Sequence, residues 1–142
     1  MLQGFKKEER LCSRKMIKEL FESGQTLSSY PVKIIWKETK LFASVPVQIV
    51  ISVPKRNIKK AVDRNKIKRQ IREVYRKNKN SWQELLKYQN IQCSGIFIYM
   101  GKKEVSFQEL ELAIIGLLKR LITELKPGKN KNIPTGEYPS NI

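Results

Sequence analysis

The sequence predicts an α+β fold: a small mixed β-sheet packed with helices, in the order helix, strand, strand, helix, strand, helix, with an extra short strand allowed for. Three features carry this. Two stretches, "YPVKIIWKE" and "VPVQIVISVP", are rich in β-branched residues and about the length of strands. A third, "CSGIFIYMG", is apolar almost throughout, the pattern of a strand buried on both faces. Around these runs lie segments whose apolar residues recur every three or four positions, as on one face of a helix. The 142 residues suit one domain, read here as a globular unit over 1–126 and a flexible polar tail over 127–142.

Residues 5 to 22 predict an amphipathic helix, with Leu11, Ile17, Leu20 and Phe21 near one face and "ESGQT" ending it at a glycine. The two β-branched stretches, joined by "TKLFAS", predict an antiparallel hairpin. In the second of them Val47, Ile49, Ile51 and Val53 share one face, while Gln48, Val50 and Ser52 lie on the other, which is left partly open. Residues 62 to about 79 predict a second helix, with Asp63 as N-cap and "NKN" as its polar exit. The apolar strand then completes a strand–helix–strand crossover. A last helix starts at Ser106, where "SFQE" has the form of a capping box with Glu109 reaching back. Phe107, Leu110, Ile114, Leu117, Leu118, Leu121 and Leu125 make its buried stripe.

Composition narrows the function. Twenty-nine Lys and Arg against 13 Asp and Glu give a formal charge of +16, a surplus that implies a polyanionic partner, nucleic acid before an anionic membrane. No apolar run approaches the ~18 residues of a membrane span, and the N-terminus lacks the apolar core of a secretion signal, so a cytoplasmic protein is expected. Cys12 and Cys93 stand apart with no CxxC pattern and no histidine in the chain, too few ligands for a zinc site, and both are expected reduced and partly buried. Without histidine the usual base for Ser or Cys nucleophilic catalysis is missing as well.

The charge gathers in "DRNKIKRQIREVYRKNK", residues 63 to 79. At about 100° per residue, Ile67, Ile71, Val74 and Tyr75 form an apolar edge for the sheet. Arg64, Asn65, Lys68, Arg69, Arg72 and Arg76 form an adjoining stripe; Lys66, Gln70, Glu73 and Lys77 fill the third. Like charges four apart on a helix each cost a few tenths of a kcal/mol, a strain that a phosphate backbone relieves. Arginine suits that partner because its planar fork grips two phosphate oxygens at once. Lys55, Arg56, Lys59 and Lys60, in "PKRNIKK" just upstream, extend the positive field.

The segment "AVDRNKIKRQIREVYR" resembles the signature of the protein subunit of bacterial ribonuclease P, through the Arg-Asn-x-x-Lys-Arg-x-x-Arg spacing at Arg64, Asn65, Lys68, Arg69 and Arg72. The resemblance extends over about residues 5 to 126. It implies a ribosomal protein S5 domain 2-like fold with a left-handed βαβ crossover, where general rules favour the right-handed one. It also implies a protein that is itself non-catalytic and assists a catalytic RNA subunit in removing the 5′ leader from precursor tRNA. In such an endoribonuclease Mg2+ is held mainly by the RNA, the protein has no metal or cofactor of its own, and the free protein is monomeric. The signature helix would face the catalytic RNA. A cleft between sheet and first helix would take the leader, with Phe21, Ile17, Ile35 and Trp36 as candidates; Ile17 and Ile35 stand where the family often has aromatics.

Two other classes fit parts of the pattern. A ribosomal or general RNA-binding protein would use the same basic surface without a processing role. A protein-only nuclease would need carboxylates clustered around two metals about 4 Å apart, and Asp63, Glu73, Glu104, Glu109 and Glu111 show no such grouping in the sequence.

Overall fold

The computed structural model describes residues 7–11, 13–41 and 44–125. Cys12, the middle of the "TKLFAS" connection and the tail over 127–142 lie outside the described residues, as does the side chain of Leu125. The order is a 3-10 turn at Lys7–Glu9, α1 (Arg14–Ser23), β1 (Gln25–Ser29), β2 (Val32–Glu38), β3 (Val47–Ser52), α2 (Ala61–Asn78), α3 (Asn80–Gln89), β4 (Cys93–Tyr99) and α4 (Phe107–Leu125). Among the described residues no helix is long and apolar enough to cross a membrane.

β4 organises the sheet. All seven of its residues are buried, so its backbone groups must be satisfied by strands on both sides. The spatial order is β1-β2-β4-β3, antiparallel between β1 and β2 and between β2 and β4, parallel between β3 and β4. The expected hairpin of β2 with β3 therefore does not form: the doubly buried β4 inserts between them. β2 takes its hairpin partner from "QTLSS" instead, the polar β1, across a turn with a cis Tyr30–Pro31 bond.

β3 is left at an edge, and the N-terminal segment covers part of it. Leu11 N–H donates to Ile49 O at 2.9 Å, and Gln48 Nε2 donates to Glu8 O at 2.9 Å. This edge pairing is why residues 5 to 22 are not one helix. The chain runs extended through Arg10 and Leu11, and α1 starts only after Ser13, whose Oγ accepts from Met16 N–H.

Strand alternation separates two cores. On one face Ile34, Trp36, Val47, Ile49, Phe97 and Tyr99 meet the buried stripes of α2, α3 and α4. On the other, Ile35, Ile96 and Ile98 lie under Leu20 of α1 together with Leu11, flanked by Met16, Ile17 and Val50. Tyr75 of α2 sets its ring edge-on against Phe97, 5.6 Å between centroids. Ser106 caps α4, its Oγ accepting from Glu109 N–H at 3.1 Å, and Leu110, Ile114, Leu117, Leu118 and Leu121 of the stripe are buried, while Phe107 lies at the exposed start of the helix.

"NKN" does not end the helical region. Lys79 keeps a helical backbone (φ −77°, ψ −18°), and α3 follows directly, burying Trp82 and Leu86. It closes at Asn90 in the left-handed conformation (φ 58°), which asparagine tolerates better than most residues. Lys79 is itself buried and its Nζ donates to Glu9 Oε1 at 2.5 Å; Gln83 Nε2 donates to the same oxygen at 3.2 Å. This joint ties the N-terminal turn to the α2–α3 junction across 70 residues of sequence. Removing one partner of a buried pair costs about 3–5 kcal/mol, because the other charge stays buried, whereas apolar replacement of both is often close to neutral. Lys79→Ala should therefore lose about 3 kcal/mol or more in urea unfolding, and Glu9→Met with Lys79→Met should regain most of it. A Lys79→Ala protein as stable as the parent would show that the joint contributes nothing.

Candidate nucleic-acid interface

α2 is seated by Ile67, Ile71, Val74 and Tyr75, each no more than 1% exposed, and this fixes which sides of the helix face outward. Its first turn differs from expectation. The N-cap position is Lys60, with no side-chain cap bond, and Asp63 lies inside the first turn, near the positive end of the helix dipole. Arg64 instead ties the helix start to the chain that precedes it. Its Nη1 donates to Ile58 O at 3.0 Å and Lys59 O at 2.7 Å, clasping the incoming loop. That loop turns at Pro54, whose carbonyl accepts from the Asn57 and Ile58 N–H groups. Ile58 is buried while Lys55, Arg56, Lys59 and Lys60 remain exposed beside the helix start.

The six residues of the basic stripe have three different surroundings. Arg64 is spent on carbonyl oxygens, which hold it in place without cancelling its charge. Arg76 forms a forked pair with Glu73, Nε to Oε1 at 3.1 Å and Nη2 to Oε2 at 2.7 Å, and Lys77 also approaches Glu73, at 3.6 Å. The Arg76 guanidinium holds the Glu73 carboxyl below its usual range, and the carboxylate raises Arg76 in return. The charge of Arg76 is thus largely offset. Asn65 and Arg69 are exposed, Lys68 and Arg72 half-buried, and among the described residues no carboxylate forms an ion pair with Lys68, Arg69 or Arg72. The Nε–H of Arg72 is buried without a partner among the described residues, a donor that costs about 1–3 kcal/mol when unmatched.

The opposite sheet face holds the second candidate area, and there the expectation needs correcting. Ile35 faces α1 and is 7% exposed, but Trp36, one residue on, points to the other face and is 6% exposed in the core under α2 and α4. Successive strand residues alternate sides, so Trp36 cannot line the same cleft as Ile35. Ile17 is half-buried against Ile35 and its neighbours, while Phe21, one helical turn later, is 58% exposed. Ile35 is therefore closed off under α1, and what this face leaves open is the half-buried Ile17 beside one exposed aromatic ring, Phe21. The helix is held close to β2 by Gly24: a Cβ there would lie 2.6 Å from Ile35 Cγ2 and 2.6 Å from Leu20 O. Lys33 and Lys37, half-buried and on the same face as Ile35, add charge that the sequence reading did not single out. The alternation of "KIIWK" contained that signal, since positions 33, 35 and 37 must share a side.

Among the described residues no three Asp, Glu or Cys side chains form a group that could hold a metal ion. Cys93 lies buried in β4 and burial pushes its thiol up to about 12, far from a reactive thiolate.

The two arginine environments predict separable effects. Arg69→Ala should change stability by less than about 0.5 kcal/mol, as at other exposed sites, yet reduce the slope of log affinity for RNA against log salt by about one. Arg64→Ala should also lose about 1.5–3 kcal/mol of stability, the worth of hydrogen bonds from a charged donor. Urea melts and salt-dependent binding of the two variants check this.

Comparison with known proteins places this arrangement. A family model described as Ribonuclease P matches residues 5–122. A ribonuclease P protein component from Porphyromonas gingivalis is 28% identical over 129 residues, covering 91% of this chain and 94% of that one. One from Xylella fastidiosa is 30% identical over 132 residues, covering 92% and 89%. Among solved structures, the RNase P protein from Thermotoga maritima superposes with a TM-score of 0.62 at 25% identity, over 79% of this chain and 96% of that one. The Staphylococcus aureus RNase P protein shares the fold, with a TM-score of 0.61 at 21% identity over 80% and 95%. With its helix signature, its mixed four-stranded sheet and a family match over most of its length, this chain belongs to the ribonuclease P protein family.

Proposed function

We propose that the chain is the protein subunit of ribonuclease P, binding a catalytic RNA through the α2 stripe and the 5′ leader of precursor tRNA in the cleft beside α1. The observation that carries this reading is the set Asn65, Lys68, Arg69 and Arg72 on one seated helix, without a paired carboxylate among the described residues. Lys55, Arg56, Lys59 and Lys60 border the same surface. Cations there would displace the counterions condensed on RNA phosphates, which drives association and makes it salt-dependent. No chemical step is assigned to the protein's own carboxylates. The divalent metal of the reaction, Mg2+, is held in this reading mainly by RNA. The protein's part is to lower repulsion between two polyanions, catalytic RNA and substrate, and to hold the leader. Phe21 offers the leader a stacking face, the half-buried Ile17 apolar contact beside it, and Lys33 and Lys37 charge for its phosphates.

Cleavage of a precursor tRNA by the cognate ribonuclease P RNA, at low Mg2+ with and without the protein, tests this. The protein should restore cleavage that the RNA alone cannot sustain. RNA binding with no gain in leader removal would favour a general RNA-binding protein instead. Phe21→Ala should weaken binding of leader-bearing substrate by about 1–3 kcal/mol, the worth of one base stacked on an aromatic ring, and leave leaderless tRNA unaffected. Equal losses for both substrates would remove Phe21 from the leader cleft.

A further inference from the structure

We propose that Lys102 and Lys103, in the connection after β4, form a second contact with phosphates of the catalytic RNA, and that Asn57 is the residue that positions Lys102. This rests on the reading of the chain as an RNA-binding subunit and extends it to a surface outside the signature helix. Lys102 and Lys103 are exposed, yet the loop that carries them is fastened at three points. Tyr99 Oη donates to Lys103 O at 2.6 Å. Lys102 Nζ donates to Asn57 Oδ1 at 2.9 Å, while Asn57 Nδ2 donates to Tyr99 O at 3.1 Å. Glu104 pairs with Lys66 at 2.9 Å and raises its ammonium pKa. Gly101 lets the chain turn this closely: a Cβ there would stand 2.8 Å from Tyr99 Oη.

The chemistry of the fastening separates Lys102 from Lys66. Lys66 meets a carboxylate, which cancels its field. Lys102 meets a neutral amide oxygen, which takes one of three N–H donors and leaves the charge whole. Lys103 has no ion pair among the described residues. The Lys66–Glu104 pair sets this loop on the flank of α2 away from Lys68 and Arg72, and the Lys102–Asn57 bond joins it to the connection that carries the exposed Lys55, Arg56, Lys59 and Lys60. It belongs to the α2 side of the sheet, not to the α1 cleft. A phosphate backbone meeting the stripe can continue onto it, which is why the catalytic RNA is the partner named.

Salt-dependent binding of the full chain to in vitro transcribed ribonuclease P RNA tests the proposal, with Lys102→Gln/Lys103→Gln beside a charge-matched control, Lys87→Gln/Lys119→Gln. Each phosphate contact contributes about 0.7–0.9 to the salt slope, hence about 4- to 6-fold in affinity near 0.15 M salt. The loop variant should therefore bind about 15- to 30-fold more weakly, with a slope lower by about 1.5, and the control should stay close to the parent. Asn57→Ala should reproduce the loss of one contact, and Lys102→Gln added to it should change little more, whereas Lys102→Gln and Arg69→Ala should add. An unchanged slope in the loop variant, while Arg69→Ala lowers it, overturns the proposal alone. So does an Asn57→Ala protein that melts earlier with its slope intact, or a loop variant weakened only for precursor tRNA added to the assembled holoenzyme. A parent chain that binds this RNA no better than a scrambled transcript overturns the underlying reading as well.

Discussion

The seating of one edge of α2 on the sheet is the constraint from which the rest of the molecule follows. Ile67, Ile71, Val74 and Tyr75 are withdrawn from water against a sheet whose central strand is buried along its whole length. Burial of side chains of this size contributes about 1.5–3 kcal/mol each, enough to outweigh the few tenths lost to each like-charge neighbour along the helix. The helix cannot roll to scatter its cations without exposing that edge. A sequence that would strain an isolated helix is thereby held as an ordered row of donors.

Placement of the acidic residues completes the arrangement. Glu73 takes Arg76 and Lys77, Glu104 takes Lys66, and Glu9 takes the buried Lys79. Each of these acids offsets a cation at the far end of α2, on its other flank, or at the α2–α3 junction, while Lys68, Arg69 and Arg72 have no such pair among the described residues. Arg64 is held by carbonyl oxygens and Lys102 by an amide, both neutral. The fold thus uses charge neutralisation where it needs stability and neutral acceptors where it needs orientation. In the proposed function that division matters, since a cation already paired with a carboxylate releases little when it meets phosphate.

What could be read from the sequence divides along physical lines. The three stripes of α2 and the double burial of β4 were legible because local periodicity and final burial coincide there. The pairing of strands was not: nothing in "YPVKIIWKE" or "VPVQIVISVP" tells whether a later strand will insert between them, and only the need to satisfy both edges of β4 decides it. The extra short strand, β1, had no position in the sequence because "QTLSS" has weak strand character and is a strand only through its partner. α3 escaped because Lys79 carries no cap signal and is held by Glu9, a contact invisible to local reading. Trp36 was misplaced although strand alternation alone separates it from Ile35. In the candidate site, charge and spacing pointed to the stripe, but which cations are offset depends on Glu73 and Glu104 and needed three dimensions.

The claim that one flank of α2 meets the catalytic RNA has a direct measurement. Hydroxyl radicals generated from an iron chelate tethered at Asn65→Cys or at Lys77→Cys, with Cys12 replaced by serine and Cys93 protected by its burial, map the RNA near each flank. The account predicts strong cleavage of the catalytic RNA from position 65 and little from position 77. Equal cleavage from both, or cleavage from 77 alone, would contradict it.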